Sequence, residues 1–436
     1  MTTARGPAAP LQGQVRVPGD KSIGHRACIF SALAEGRSTV TGLSHGADIS
    51  TTLAVLQQLG VAAQITHADD GTRTAVIEGR GLGGLSQPVG DVDCGNSGTT
   101  IRLMMGVLAG QRQIQGARLI GDASLSKRPM ARVSDPLSAL GAHIELPEGD
   151  HPPVVMSGVV LNSPEGAIDT GGASAQVKSA LLLAGVQAQG PVTVVERGPS
   201  RDHTERMLLG RGVPVQIEGR QITVTPVSQW PAMDQRVPGD PSSAAFWLGA
   251  AALIPGSDIT VEGISLNPTR TGILDILQSM GADLQIDAQG EAGGEPIGAV
   301  RLRYRPLTGV DISGDVVVRA IDELPLVAAL AALAEGETRI TGARELRVKE
   351  SDRVAAMAEM LTTLGGRVDA LEDGWHIEGV STLGGGAVKA YHDHRIAMVA
   401  GILDRVTTAP VVIDTPEVAA VSYPTFLTQL NRMTAR

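Results

Sequence analysis

Six times along its length the chain repeats one phrase: an apolar helix of small residues, a Gly or Pro turn, and a short β-rich run. The pairs are 25–36 with 38–42, 99–110 with 113–116, 176–190 with 192–196, 242–256 with 259–263, 322–336 with 338–342, and 394–408 with 410–414. Two are near copies, SALAEGRSTVTG ending at Gly42 and AALAEGETRITG ending at Gly342. A spacing of roughly 65–80 residues is longer than a solenoid repeat, so each copy is a small α/β motif of its own. A second, amphipathic helix follows most of these strands and stops at Leu-Gly or Met-Gly (48–59, 131–140, 204–209, 269–280, 352–364). Alternating strands such as 213–217 and 283–287 come next. A unit thus reads helix, strand, helix, strand, strand, and the last is cut short at 424–430. The first helix of each unit is Ala-rich and apolar all round, so it has to be buried.

At 436 residues the chain exceeds one ordinary core. Pro18-Gly19-Asp20 recurs as Pro238-Gly239-Asp240, each opening an apolar helix, with three units between them and three after. The simplest division is two domains of three units, 19–239 and 1–18 plus 240–436, the strand 11–17 belonging with the second. Aromatic residues are only 2% and glycines number 54, so the cores are packed by Ala, Val, Leu, Ile and Met. The net charge of −10 argues against a nucleic-acid or membrane binder and makes any anion site a local concentration of cations. Cys28 and Cys94 read as small buried hydrophobes in a reducing compartment. The opening MTTARGPAAP has no apolar core of a signal peptide, and no apolar run spans a bilayer, so a cytoplasmic location is expected.

The chemistry gathers at helix starts. Lys21, Ser22 and Arg26 follow Pro18-Gly19-Asp20 at the beginning of the first buried helix. Backbone N–H groups are free there and the helix dipole is positive, so two cations at that end are unfavourable unless an anion joins them. Asn96-Ser97-Gly98-Thr99-Thr100-Ile101-Arg102 opens the second buried helix; an anion cradle and an ordinary capped start both fit, and the Lys-Ser/Thr of a nucleotide loop is lacking. The glycines at 81–84 precede Pro88 where a dinucleotide loop would need a helix. Lys127 and Arg128 stand before a helix in which Pro129 is expected at the first position. Ser174, Ala175 and Gln176 open the third buried helix, and 200–206 combines an ion network with Arg201 as the ligand contact. In the second half, Asp322-Glu323 and the cluster Arg347, Lys349, Glu350, Asp352, Arg353 bring carboxylates and cations together. Asp322 and Glu350 are candidates for proton transfer, with a purely structural ion network as the other reading. His392-Asp393-His394 matches no zinc spacing, so no metal is expected.

Taken together, PGDKSIGHRA, GNSGTTIRL, GDASLSKRPM, SAQVKSALLLAG, SRDHTER, VPGDPSSAAFWLGAA, IDELPLVAALA, RVKESDR and YHDHRIAM resemble the 5-enolpyruvylshikimate-3-phosphate synthases, over nearly the whole chain and in the family's order. GDKS, SAQVK, RDHTE and NPTR (Asn267–Arg270) are similar to the subgroup called class II. The resemblance implies an α/β fold of two domains, each three βαβαββ units in pseudo-threefold array, closing on substrate. It implies enolpyruvyl transfer from phosphoenolpyruvate to the 5-hydroxyl of shikimate 3-phosphate, through a tetrahedral adduct and without metal or cofactor, by a monomer. By motif position, Lys21, Ser22, Arg26, Ser174, Ala175, Gln176, Ser200, Arg201, Asp322 and Lys349 would meet shikimate 3-phosphate. Lys21, Asn96, Gly98, Arg128, Gln176, Arg353 and Arg395 would meet phosphoenolpyruvate, with Asp322 as base, Glu350 as acid and Lys21 beside the reacting groups. One departure stands out: Ala420-Val421-Ser422 precedes Tyr423-Pro424 where many members carry a lysine. The sister transferase acting on a UDP-amino sugar usually has a cysteine near 123–128, and this chain has none there. Glyphosate enters through the family as an occupant of the phosphoenolpyruvate site. Gly98 leaves room for it, so a sensitive or intermediate enzyme is expected, made tolerant by Gly98→Ala.

Overall fold

Short apolar helices that must be hidden and hairpins that must cover them account for the architecture. The computed structural model describes residues 8–68 and 72–435. Residues 1–7, on which much of the signal-peptide expectation rests, lie outside them. The chain divides into two compact units. One takes in the segment ending at Pro18, then Gly239–Gly290 and Pro296–Arg436; the other is Gly19–Pro238 with Glu291–Glu295. Each has its own apolar core.

The Gly19–Pro238 unit holds three four-stranded sheets of one topology. In the first, Gln235–Arg236 runs parallel to Glu35–Leu43, which pairs antiparallel with Arg73–Arg80, itself antiparallel to Ala62–His67. Val92–Asp93, Ala117–Ile120, Val154–Ser157 and His143–Glu145 repeat the order. Ile168–Asp169, Val192–Val195, Gln221–Val224 and Val215–Glu218 repeat it again. The other unit has two such sheets, built on Asp258–Ser265 and Glu337–Ile340, and a two-stranded remnant, Gly386–Val388 with Val411–Ile413. Every full sheet is therefore a βαβαββ unit, and the sixth is the truncated one. The N-terminal strand Gln12–Arg16 lies parallel to Asp258–Ser265, completing a sheet whose other strands come from the second half of the chain.

Six helices sit behind these sheets: Lys21–Ala32, Gly98–Ala109, Ala175–Gly185, Pro241–Leu253, Leu324–Ala331 and His394–Val406. All thirteen residues of Pro241–Leu253 are buried, as a helix without a polar face requires. Asp20, Ser97, Ser174, Asp240 and Asp393 each accept a first-turn N–H through the side chain, the capping expected of Asp and Ser. Glu323 makes no such cap at the remaining helix, Leu324–Ala331. At the Pro-Gly-Asp turns, Asp20 N–H donates to Pro238 O at 2.8 Å within one unit and Asp240 N–H to Pro18 O at 2.9 Å within the other. Gly19 is needed there because a Cβ would stand 1.9 Å from Gly42 O. The few aromatics concentrate in the cores: Phe30 meets Trp230 edge-on at 5.2 Å, and Phe426 gathers Phe246, Trp247 and Tyr423. Cys28 and Cys94 are buried free thiols, pushed up to about 12 by burial.

Several local expectations are corrected. The β-run expected at 113–116 is a loop, and the strand is Ala117–Ile120; Gln113 and Gln115 instead spend their amides on loop carbonyls. Pro129 is not the first helical residue. The helix is Ala131–Ser138, and Asp150 supplies its cap by accepting from Met130 N–H at 3.0 Å and from Ala131 N–H. The helix expected from 269 begins at Gly272, after an Asn267 side chain that accepts from Thr269. The helix expected from 322 begins at Leu324, leaving Asp322 and Glu323 in the turn before it.

Candidate functional site

In the Gly19–Pro238 unit the starts of three buried helices are joined by polar side chains. His25 Nδ1 lies 2.6 Å from Thr52 Oγ1, which lies 2.7 Å from Thr100 Oγ1 on the Gly98 helix. Arg102 donates to Gln176 Oε1 at 2.7 Å, and Gln176 Nε2 donates to Thr99 Oγ1 at 3.0 Å. Arg26, 2% exposed, donates to Thr204 Oγ1 (2.7 Å), Ser179 Oγ (2.6 Å) and Ser22 O (2.8 Å). Burial lowers its pKa to about 10, with Glu205 opposing through space. Arg128 is half-buried and donates to Asn96 Oδ1 at 2.6 Å and Ser124 Oγ at 3.3 Å. Gly98 lies under both guanidiniums, for a Cβ there would stand 3.0 Å from Arg128 Nη1 and 3.1 Å from Arg102 Nη1. Lys21 is more open and pairs with Asp48 at 2.9 Å. Burial raises the Asp48 pKa, but Lys21 and His25 outweigh it and hold the carboxyl below its ordinary value. Ser174, Ala175, Gln176, Ser200 and Arg201 are all half-buried. The ion network expected at 200–206 includes Arg206 with Asp202 at 2.8 Å.

The other unit assembles Asp322, Lys349, Glu350, Arg353 and Arg395 around shared carboxylates. Asp322 stands 3.5 Å from Arg353, 3.9 Å from Lys349 and 3.9 Å from Arg395. Arg353, 1% exposed, also donates from Nε to Asp393 Oδ2 and from Nη2 to Glu350 Oε2, each at 2.7 Å. Burial works against the Glu350 charge, but Arg353 and then His394 prevail, so its carboxyl lies below the ordinary range. With 47% of that side chain exposed, solvent screens part of this effect. Arg395 donates to Asp322 O at 3.0 Å and lies 3.5 Å from Glu323 Oε1. Glu323 is 2% exposed and accepts the Ser242 hydroxyl; burial, first, raises its pKa. His394 is lowered to about 4, chiefly by burial and then by Arg395. Tyr391 and His392 adopt φ of 54° and 55°, a left-handed pair that delivers Asp393 to Arg353.

Asp48, Arg102, Glu323 and Asp393 were not singled out as site residues in the sequence. Arg102 follows Gly98 by four positions, one helical turn, which was the available signal. Asp393 was legible only as part of a rejected metal pattern; it holds Arg353 in place. Among the described residues no group of three His, Cys, Asp or Glu side chains is placed to hold a metal ion. No helix among them is long and apolar enough to cross a membrane. In the stretch Ala420-Val421-Ser422, Val421 is 62% exposed.

Such a set of cations and carboxylates can hold doubly charged anions and move protons beside them. Residues 6–430 match the family described as EPSP synthase (3-phosphoshikimate 1-carboxyvinyltransferase). The chain is 48% identical over 423 residues to the 3-phosphoshikimate 1-carboxyvinyltransferase of Alkalilimnicola ehrlichii, covering 97% of this chain and 93% of that one. It is 44% identical to the Bacillus subtilis protein of the same name, covering 98% of each. A solved EPSP synthase structure from Acinetobacter baumannii superposes with a TM-score of 0.90 at 42% identity, over 99% of this chain and 97% of that one.

Proposed function

The chain belongs to the EPSP synthase family, and from that premise we propose how its own residues carry the family's reaction. It transfers the enolpyruvyl group of phosphoenolpyruvate to the 5-hydroxyl of shikimate 3-phosphate and releases phosphate, a step of the shikimate pathway to aromatic amino acids. The relatives' names and the cysteine-free stretch 123–128 leave no support for the UDP-amino-sugar reaction.

Lys21, Ser22, Arg26, Ser174, Ala175, Gln176, Ser200 and Arg201 hold shikimate 3-phosphate, and Asp322 and Lys349 orient its ring hydroxyls. Lys21, Asn96, Gly98, Arg128, Gln176, Arg353 and Arg395 receive phosphoenolpyruvate. Asp322 takes the proton from the 5-hydroxyl as that oxygen attacks C2 of phosphoenolpyruvate. Glu350 gives its proton to the methylene carbon, which becomes a methyl group in the tetrahedral adduct. The adduct collapses when a methyl proton is withdrawn and the C2–O bond to phosphate breaks, restoring the double bond. The observation that carries this reading is the position of Asp322, within 4 Å of three cations and beside the Arg353–Glu350 pair. Three cations stabilise its charge while it waits, and they also offset charge developing on the adduct. The Arg353–Glu350 contact supplies timing. An anion that takes over part of the Arg353 charge lets the Glu350 pKa rise, so Glu350 gains its proton when phosphoenolpyruvate is present.

Phosphate release from the two substrates tests the assignment. Asp322→Asn and Glu350→Gln are expected to bind shikimate 3-phosphate and turn over slowly; undiminished turnover in either would remove that residue from the chemistry. A cytoplasmic location, supported by the composition and checked by fractionation, and the monomer that the family resemblance implies, checked by sedimentation, complete the proposal.

A further inference from the structure

Behind Ser200 lies an ion cluster that the proposed reaction does not use. Lys178, 1% exposed, points its ammonium at Glu196 Oε2 (2.9 Å) and at Glu205 Oε1 (2.6 Å). Both carboxylates are buried, at 7% and 2% exposed. Glu196 uses its other oxygen, Oε1, to accept the Ser200 hydroxyl. A hydroxyl has one hydrogen. With that hydrogen committed to a carboxylate, Ser200 turns only lone pairs toward any other ligand, and an incoming phosphate needs a donor.

We propose that Glu196, fixed by Lys178, is a positioning residue that keeps the Ser200 hydrogen away from the phosphate of shikimate 3-phosphate and so moderates the grip on that group. The inference rests on the reading above in which Ser200 meets this phosphate. Two effects act in one direction. Ser200 has to break a charge-assisted hydrogen bond before it donates to the ligand, and the Glu196 charge lies one hydroxyl away from a dianion. Lys178 keeps the Glu196 carboxylate in place, because a buried carboxylate deprived of its cation is strongly unfavourable. The phosphate is carried unchanged from substrate to product, so a site that held it with every available donor would also hold the product. Moderating that one hydroxyl leaves Lys21, Arg26 and Arg201 to provide recognition.

Glu196→Gln separates the effects of direction and fold. A glutamine carbonyl can still accept from Lys178 while its NH2 donates to Ser200 Oγ, which frees the hydroxyl hydrogen for phosphate. Calorimetry at pH 7 with shikimate 3-phosphate and with unphosphorylated shikimate reads the result. Glu196→Gln is expected to tighten shikimate 3-phosphate about five- to tenfold, the difference between a neutral and a charge-assisted hydrogen bond, and to leave shikimate within about twofold. Glu196→Asp, which retains the charge for Lys178 but is too short to keep Ser200, should shift the same ratio the same way and covers the case in which the amide variant does not fold. Ser200→Ala in the Glu196→Gln background tests the premise: removing the hydroxyl is expected to cancel the gain, and a ratio that this removal leaves unchanged would take Ser200 away from the phosphate. If removing the hydroxyl lowers the ratio in that background while neither Glu196 variant exceeds the wild type, the premise stands and the inference about Glu196 is overturned.

Discussion

The two units treat the cations of the candidate site in opposite ways. In the Gly19–Pro238 unit, Arg26, Arg102 and Arg128 donate to hydroxyls, amides and carbonyls. In the other, Arg353 serves Asp393, Glu350 and Asp322, while Arg395 lies against Glu323 and Asp322. Neutral partners leave a cation's charge available to an anion; carboxylate partners consume it and acquire shifted proton affinities in return. The first arrangement suits phosphate and carboxylate binding, the second proton transfer. Lys21, more exposed than Arg26, Arg102 and Arg128, does meet a carboxylate, Asp48, at 2.9 Å.

The largest effect expected from this contrast is on turnover. Asp322→Asn should lower kcat by about 10²–10⁴-fold, the usual contribution of a positioned acid or base, with shikimate 3-phosphate affinity changed far less. Equal losses in kcat and in affinity would make Asp322 a binding residue and erase the division of labour. Next comes stability. Arg353→Leu strands Asp393, which is 0% exposed, and should cost about 3–5 kcal/mol in urea unfolding. Arg128→Leu strands only an amide and a hydroxyl and should cost about 1 kcal/mol or less. Comparable urea midpoints for the two variants would break the comparison outright.

Affinity reverses the ranking. Arg128→Ala should weaken phosphoenolpyruvate binding in the presence of shikimate 3-phosphate by about 10- to 150-fold, since a hydrogen bond to a charged group contributes roughly 1.5–3 kcal/mol. Normal binding by the variant would exclude Arg128 from that site. Acid sharpens the picture further. His394 in one unit and His25 in the other are buried with pKa values of about 4 and about 3, against 6.5 when free. Between those values and 6.5 the unfolded chain binds protons that the folded chain refuses, so stability falls as pH drops from about 6.5 toward 4, by a few kcal/mol. Asp393 and Glu350 in the carboxylate-rich unit and Asp48 in the other, all lowered, add a loss in the same direction as pH falls below about 4.5. Urea titrations at pH 7, 5.5 and 4.5 that gave one constant stability would contradict the buried neutral histidines. The smallest expected effect is Gly98→Ala. A Cβ there meets the movable ends of Arg128 and Arg102, so folding should be nearly unaffected while phosphoenolpyruvate affinity drops a few-fold and glyphosate inhibition weakens more. Inhibition constants equal in wild type and variant would place Gly98 away from the ligand.

Much of this was legible before any coordinates. The buried helices announce themselves because a helix with no polar face has one destination, and the doubled Pro-Gly-Asp marks where the chain changes units. The two-residue strands Val92–Asp93, Ile168–Asp169 and Asp311–Ile312 were not legible, since two residues carry no alternation to read. Nor was the Asp150 cap on Met130 and Ala131, which comes from a loop twenty residues away.

Residue type and position alone therefore determined the repeat, the burial of its first helices and the concentration of cations at their N-termini, because those follow from local periodicity and helix electrostatics. Tertiary structure alone decided which cations keep their charge and which spend it. Nothing local in the sequence tells that Lys178 and Arg353 are buried among carboxylates while other basic residues are not. One is closed in by Glu196 and Glu205 and the other by Asp393 and Glu350, and a partner distant in sequence, met only on folding, sets the energy of a buried charge.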